Sequence, residues 1–194
     1  MVDTLAVFCH RPKGSLSGMT TYVALLHSIV LTAGRRVVMS DLREMAEDLG
    51  FTNVKTLVAT GNLIFEAGEQ PIAAIETQLE AGFAKTFGKR VDIIARDAAT
   101  WMKLVAGSPF ADGEGSEVAV RVMRKPLDPS VIEILEKRRS DPERLAVVDG
   151  DLWIDFGGKA SETRLLSSLT TKRLGVGTLR NWNTVRGVAR MIGS

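Results

Sequence analysis

Apolar and polar positions alternate along this chain with two distinct periods. Short stretches rich in β-branched and apolar residues predict strands, whereas apolar residues recurring every three or four positions predict helices. In the first half of the chain, the pattern predicts strands at 20–26, 54–59, 63–65 and 91–95, and helices at 41–49 and from Pro71 to a stop at Gly88. The order β-α-β-β-α-β is that of a ferredoxin-like lobe.

The second half repeats this order after a short helix at 97–105 and a polar, glycine-containing loop at 107–115. Strands are predicted at 118–123, 145–148, 152–156 and 174–178, and helices at 128–139 and after Ser161. The segment Asp149-Gly150-Asp151-Leu152 also matches Thr60-Gly61-Asn62-Leu63 in position and sequence. We therefore expect an α+β fold with tandem ferredoxin-like lobes at 19–106 and 107–194, and an N-terminal extension at 1–18 outside the core.

A C-terminal helix completes the predicted fold. Counted at 100° per residue from Thr178, its expected N-cap, one arc is apolar and contains Trp182, Val185, Val188, Ala189 and Ile192. The opposite arc is polar and basic and contains Arg180, Asn183, Arg186 and Arg190. Asn181 falls within the apolar arc, so we expect its side chain to point inward.

Composition narrows the functional classes without selecting one. Hydrophobic residues at 45% and charged residues at 25% are typical of a globular protein, and no apolar run reaches the length of a membrane span. The single cysteine, Cys9, excludes an internal disulfide and a cysteine-based zinc site, so a cytoplasmic protein without a metal or cofactor is expected.

Charge is distributed unevenly along the chain. The net charge is +2, but residues from Lys159 onward contain seven basic residues and one acidic residue, which gives +6 for this end and −4 for the rest. Such asymmetry favours an anionic partner, although a solvated basic surface also explains it.

Several segments together resemble a bacterial family known as domain of unknown function 1697. They are 22–26, Met39 with Asp41-Leu42, 49–56, Gly61-Asn62 with Phe65, and, most specifically, Arg180-Asn181-Trp182-Asn183-Thr184-Val185. The resemblance runs from Met19 to about Ile192 and implies two ferredoxin-like lobes, but no reaction. Where the family typically has Arg-Gly-Ile-Asn-Val-Gly-Gly after the first strand, this chain has His27-Ser28-Ile29-Val30-Leu31-Thr32-Ala33. A role of that loop in the family therefore does not carry over.

The turn Gly157-Gly158-Lys159-Ala160-Ser161 is a candidate anion site. It follows a predicted strand and precedes a predicted helix, and backbone amides with a lysine suit a phosphate. It is not a nucleotide-hydrolysing P-loop, because Trp153 occupies the first glycine position and Ala160 follows the lysine. A plain turn with Ser161 as a helix cap explains the same residues.

The sequence also contains residues suited to two other chemistries. His27 ends the first strand and could serve in acid–base catalysis, although the neighbouring Ser28 points to the opposite side of an extended chain. Ferredoxin-like sheets can also bind RNA through exposed aromatic residues, for which the strands offer Phe65, Trp153 and Phe156.

The sequence thus favours a binding module for an anionic ligand, either a phosphorylated small molecule or a nucleic acid. The candidate ligand-binding residues are Arg180, Asn181, Asn183, Gly158, Lys159, Ser161 and Asn62. The alternative is an enzyme whose active site lies in a cleft between the lobes, near His27 or Asn62. A third hypothesis is a protein that only dimerises through an exposed sheet edge.

Overall fold

A computed structural model describes residues 18–27, 29, 36–57 and 61–193. The predicted N-terminal extension, apart from Gly18, lies outside these residues, as does most of the divergent loop. The described chain forms two four-stranded antiparallel sheets with helices on their faces.

The first lobe contains β1 (Met19–Leu26), α1 (Met39–Asp48), β2 (Thr52–Leu57), β3 (Asn62–Gly68), α2 (Ile72–Phe87) and β4 (Ile93–Asp97), followed by α3 (Ala98–Ala106). Its strand order is β2-β3-β1-β4. Each strand is antiparallel to its neighbours. This is the ferredoxin-like arrangement that the sequence predicts.

The second lobe contains β5 (Val118–Met123), α4 (Val131–Glu136), β6 (Arg144–Val148), β7 (Asp151–Asp155), α5 (Thr171–Leu174), β8 (Gly177–Asn181) and α6 (Trp182–Ile192). Two 3-10 turns, Ala160–Glu162 and Leu165–Ser168, stand between β7 and α5. The strand order β6-β7-β5-β8 repeats that of the first sheet, so two tandem ferredoxin-like lobes are confirmed.

Each sheet carries its own helical layer on one face. In the first lobe, Tyr22, Ala24 and Leu26 alternate along β1 and pack with buried residues of α1 and α2. In the second lobe, Ala119 and Met123 of β5 pack with residues of α4 and of the 3-10 turns. This alternation follows from the two-residue period of a strand.

The opposite faces of the two sheets meet in a shared central core. Val23 and Leu25 of β1, and Val120 and Val122 of β5, belong to the same cluster. Helix α6 contacts β2 and β3 of the first sheet as well as β5 and β8 of the second, while α3 packs on β1, β4 and α6. The inner strands are therefore buried on both faces, which explains their nearly continuous apolar sequences.

Arginine side chains add polar bridges between the lobes. Arg124, just after β5, donates to Glu76 of α2 at 3.1 Å and to the Ile93 carbonyl at 2.8 Å. Arg96 of β4 donates to the Met123 carbonyl and lies 3.6 Å from Asp151. The lobes are thus joined by apolar and polar contacts rather than by a linker alone.

Some predicted element boundaries are wrong. The helix expected to reach Arg139 ends at Glu136. Ser161 does not cap a helix, because it lies inside a short 3-10 turn without a side-chain cap. The helix predicted at 41–49 begins two residues earlier, at Met39, so Ser40 lies inside it, and the Ser40 hydroxyl donates to Asp41.

Substitution of two glycines with the same backbone geometry should separate strain from packing. Gly61 (φ +71°) and Gly88 (φ +68°) are both left-handed, but a Cβ at Gly61 would lie 2.6 Å from Ile29 Cγ2, whereas Gly88 faces open space. Gly88→Ala should therefore lower the free energy of unfolding by about 1–2 kcal/mol because of backbone strain. Gly61→Ala should lower it by about 1–3 kcal/mol more, because the added Cβ overpacks the site. Denaturant unfolding measures both, and equal losses would contradict the close approach at Gly61.

Candidate functional site

Arg180 does not lie on the outer face of the C-terminal helix, as the sequence suggested. It belongs to β8, and only 8% of the residue is exposed. The helix begins two positions later, at Trp182. This prediction is wrong because the strand extends through three residues that were assigned to the helix.

The guanidinium of Arg180 connects the second sheet to the first lobe. Its Nε donates to Asn62 Oδ1 at 2.6 Å, and its Nη2 donates to the Leu26 carbonyl at 2.9 Å. Its Nη1 donates to Thr178 Oγ1 at 2.7 Å, within its own strand. Burial lowers the pKa of Arg180 to about 10. Two of the candidate residues, Arg180 and Asn62, are therefore brought together, but in the interior of the protein.

Asn62 is itself fully buried at the start of β3. Its Nδ2 donates to the Leu57 carbonyl at 3.0 Å, which closes the connection between β2 and β3. The amide is thus hydrogen-bonded both within its hairpin and to the other lobe, as a buried polar side chain requires.

Asn181 is the N-cap of α6, a role that the sequence assigned to Thr178. Its Oδ1 accepts from the Thr184 amide at 2.9 Å. Asp97 caps α3 in the same way, accepting from the Thr100 amide at 2.7 Å. The side chain of Asn181 is exposed, so the prediction that it points inward is wrong. The two caps occupy equivalent places in the repeat, so the repeat extends to the helix after each sheet.

Trp182 and Asn183 complete this junction. Trp182 is buried and meets Trp153 edge to face at a centroid distance of 5.6 Å, which confirms its predicted place in the core. The backbone amide of Asn183 donates to the Gly115 carbonyl at 3.1 Å, and the side-chain oxygen of Asn183 accepts from Arg186 at 2.7 Å. Asn183 therefore holds the loop between the lobes.

The second part of the candidate site lies elsewhere. Gly158 and Lys159 line a depression of about 380 Å³ together with Ser140, Glu143 and Arg164. The Lys159 ammonium is exposed and lies 3.6 Å from Glu162. The structure does not bring this turn together with Arg180, Asn181 or Asn183, which face the first lobe and the loop between the lobes.

A neighbouring depression of about 550 Å³ is more strongly basic and was missed by the sequence analysis. It shares Ser140 and Arg164 with the previous one and is lined by Ile134, Lys137, Arg138, Arg139, Ser140, Arg164 and Arg173. We call it the cationic depression. It lies in the outer helical layer of the second lobe, and no acidic side chain is among its lining residues.

Most of these cations have no acidic partner. Arg139 is paired with Glu136 at 2.6 Å and with Asp141 at 3.1 Å. The other four, Lys137, Arg138, Arg164 and Arg173, are exposed and form no ion pair within the described part of the chain. The run Lys137-Arg138-Arg139, at the end of the helix predicted at 128–139, is the sequence signal for this surface.

His27 lies at the end of β1, near charged groups of both lobes. Partial burial of its imidazole lowers its pKa; the charge of Asp92 opposes this, and those of Arg121 and Arg180 add to it. Among the residues the structure describes, no group of three or more His, Cys, Asp or Glu side chains could hold a metal ion.

The aromatic residues considered for RNA stacking are all inside the protein. Phe65 packs in the first helical layer, Trp153 in the central core and Phe156 in the second helical layer. None of the three exposes more than 5% of its surface. Base stacking on the sheets by these residues has no support.

The architecture defines an α+β protein built from two fused ferredoxin-like lobes. A family model described as "Protein of unknown function (DUF1697)" matches residues 19–153, and the chain belongs to this family. The fold is similar to the structure of a conserved bacterial protein, SP0830 from Streptococcus pneumoniae, with a TM-score of 0.72 and 23% sequence identity. The match covers 91% of this chain and 100% of that one. At this identity the likeness shows the fold alone. Curated proteins gave no match. No helix within the described ranges is long and apolar enough to cross a membrane.

Removal of the Arg180 side chain should destabilise the protein far more than removal of an exposed arginine. Arg180→Ala eliminates buried hydrogen bonds to Asn62 and Leu26, and we expect a loss of about 2–4 kcal/mol in the free energy of unfolding. Arg190→Ala, at an exposed position of α6, should change it by no more than about 0.5 kcal/mol. Urea unfolding compares the two variants, and similar losses would contradict the bridging role.

His27 should titrate below the ordinary value of 6.5 in the folded protein. The unfolded chain then binds the proton more readily, so the contribution of neutral His27 to stability is complete above pH 6.5 and declines as the pH falls below it. NMR of the imidazole in wild-type protein, assigned with His27→Gln, measures the midpoint. A midpoint above 6.5 would show that Asp92 outweighs burial and the two arginines.

Proposed function

We propose that this protein binds a polyanionic ligand through the cationic depression. The observation that carries the proposal is the convergence on one concave surface of four exposed cations, Lys137, Arg138, Arg164 and Arg173, that have no acidic partner among the residues the structure describes. Like charges held together repel, and a bound anion replaces this repulsion with attraction. A concave basic surface also raises the local concentration of anions.

Local helix electrostatics explain only part of this arrangement. Lys137, Arg138 and Arg139 directly follow the C-terminal end of α4, where positive charge interacts favourably with the helix dipole. Arg173 also lies in the last turn of a short helix, α5, whereas Arg164 directly precedes a 3-10 turn. Local electrostatics do not explain why these two residues reach the same depression as the end of α4, and this convergence supports recognition of a ligand.

The turn predicted from sequence borders this surface. Gly158 and Lys159 line the adjacent depression, which is continuous with the cationic one through Ser140 and Arg164. Asp141, Glu143 and Glu162 also line that neighbour, so it is less favourable to an anion. The proposal therefore keeps Gly158 and Lys159 at the rim and does not require Ser161, Asn62, Arg180, Asn181 or Asn183.

The alternative of an enzyme with a cleft between the lobes has less support. The facing sheets enclose α3, α6 and buried tryptophans such as Trp101 and Trp182. Asn62 is buried and hydrogen-bonded to Arg180, so it cannot meet a substrate without rearrangement. A cytoplasmic location remains an expectation that rests on the single cysteine.

A thermal-shift titration with inorganic tripolyphosphate, nucleotides and short oligonucleotides tests the proposal. A ligand that binds the folded state should raise the melting temperature with concentration, corresponding to about 2.7 kcal/mol at a hundredfold excess over Kd. The double variant Arg138→Ala, Arg164→Ala should lose most of this shift. Arg190→Ala, a control of equal charge change per site on α6, should retain it.

The interpretation depends on which variants lose the ligand-induced shift in melting temperature. No shift with any phosphorylated compound would refute anion binding, and a shift that survives the double variant would place the site elsewhere. If Arg190→Ala loses as much of the shift as Arg138→Ala alone or Arg164→Ala alone, the loss is a general charge effect and the depression is not the site.

A further inference from the structure

We infer that the polyanion is a nucleic-acid duplex, held by its phosphate backbone without recognition of base sequence. The inference rests on the proposed function, since it assigns a ligand class to the cationic depression. It follows from the exposure of the cations that line the depression, their origin in separate segments of the chain and the burial of the aromatic residues.

The form of the depression suits an extended array of phosphates better than one small phosphate. Small-molecule sites bury most of the surface of their ligand, and phosphate sites commonly use backbone amides at a helix N-terminus. Here the donors are exposed side chains on long stems, and α4 presents its C-terminal end. Charges spread across a surface can each meet a different phosphate of a polymer, whereas a single phosphate can reach only some of them.

Burial of the aromatic residues favours a duplex over a single strand. Proteins that bind single strands combine a basic groove with aromatic side chains on which bases stack, worth about 1–3 kcal/mol per base. Trp101, Trp153 and Trp182 are each at most 4% exposed, and none of the described residues that line the cationic depression is aromatic. A duplex keeps its bases stacked internally and offers closely spaced phosphates on its outside.

Apolar exposure beside the cations is too limited for a membrane surface. Ile134, with 57% of its surface exposed, lines the depression, and Leu166 is 40% exposed two positions after Arg164. Membrane-surface elements combine basic residues with a broad apolar face. Isolated apolar side chains among cations are compatible with contact to the sugars between phosphates.

Salt dependence measures the number of phosphates contacted. Neutralisation of Z phosphates of duplex DNA gives a slope of about −0.9Z in log K against log salt concentration, and about −0.7Z for a single strand. The four unpaired cations of the depression therefore predict a slope of about −3.6 for a duplex, the product of 4 and −0.9.

Fluorescence anisotropy with a labelled DNA duplex of mixed sequence, measured from about 50 to 200 mM salt, tests the inference. Wild-type protein should bind several unrelated duplexes with equal affinity, within about twofold, and with the stated slope. Arg138→Ala and Arg164→Ala should each reduce the magnitude of the slope by about 0.9. Arg190→Ala should leave both affinity and slope unchanged.

Failure of the inference can be distinguished from failure of the proposed function. If tripolyphosphate binds at the depression and the duplex does not, the proposed function stands and the duplex is excluded. Tighter binding of the matching single strand, or equal binding of polyglutamate, would also overturn the inference. If neither tripolyphosphate nor duplex binds, both proposals fail.

Discussion

The buried guanidinium of Arg180 is the contact on which the arrangement of the two lobes depends. It extends from the last strand of the second sheet and donates to Asn62 and to the Leu26 carbonyl, both in the first lobe. These partners lie 118 and 154 positions away in sequence. Because an unpaired buried charge is costly, this geometry favours only lobe orientations that bring those acceptors to the arginine. The adjacent Asn181 and Asn183 then fix the start of α6 and the loop at Gly115.

Together with the shared apolar core, this contact joins the two lobes into one packed body. With the sheets facing each other, α3 and α6 lie in a common layer, where Trp101 Nε1 donates to the Val185 carbonyl at 3.3 Å. The inner faces of the two sheets are consequently covered by packed side chains. Surfaces that ferredoxin-like sheets could otherwise offer to a ligand are closed, and the outer helical layers are left to meet partners.

Local patterns in the sequence predicted the fold well and the candidate site poorly. Alternation and helical periodicity found both sheets, because those signals lie within each element. The start of α6 was misplaced because Thr178 and Asn181 are both good N-cap residues, and the glycine- and threonine-containing strand β8 has a weak apolar pattern. Burial of Arg180 could not be foreseen, since it depends on partners in the other lobe. Likewise, Arg138 and Arg173 are distant in sequence, and only the packing of the second helical layer brings them to one depression.

Under the proposed function, the C-terminal motif holds the lobes together, and the cationic depression binds the ligand. Hydrogen exchange of backbone amides, followed by mass spectrometry with and without saturating duplex DNA, tests this division of roles directly. We expect added protection in peptides covering 131–140 and 164–173, with little change at 177–186, which should already exchange slowly. Ligand-induced protection centred on 177–186, with none at the depression, would contradict the account.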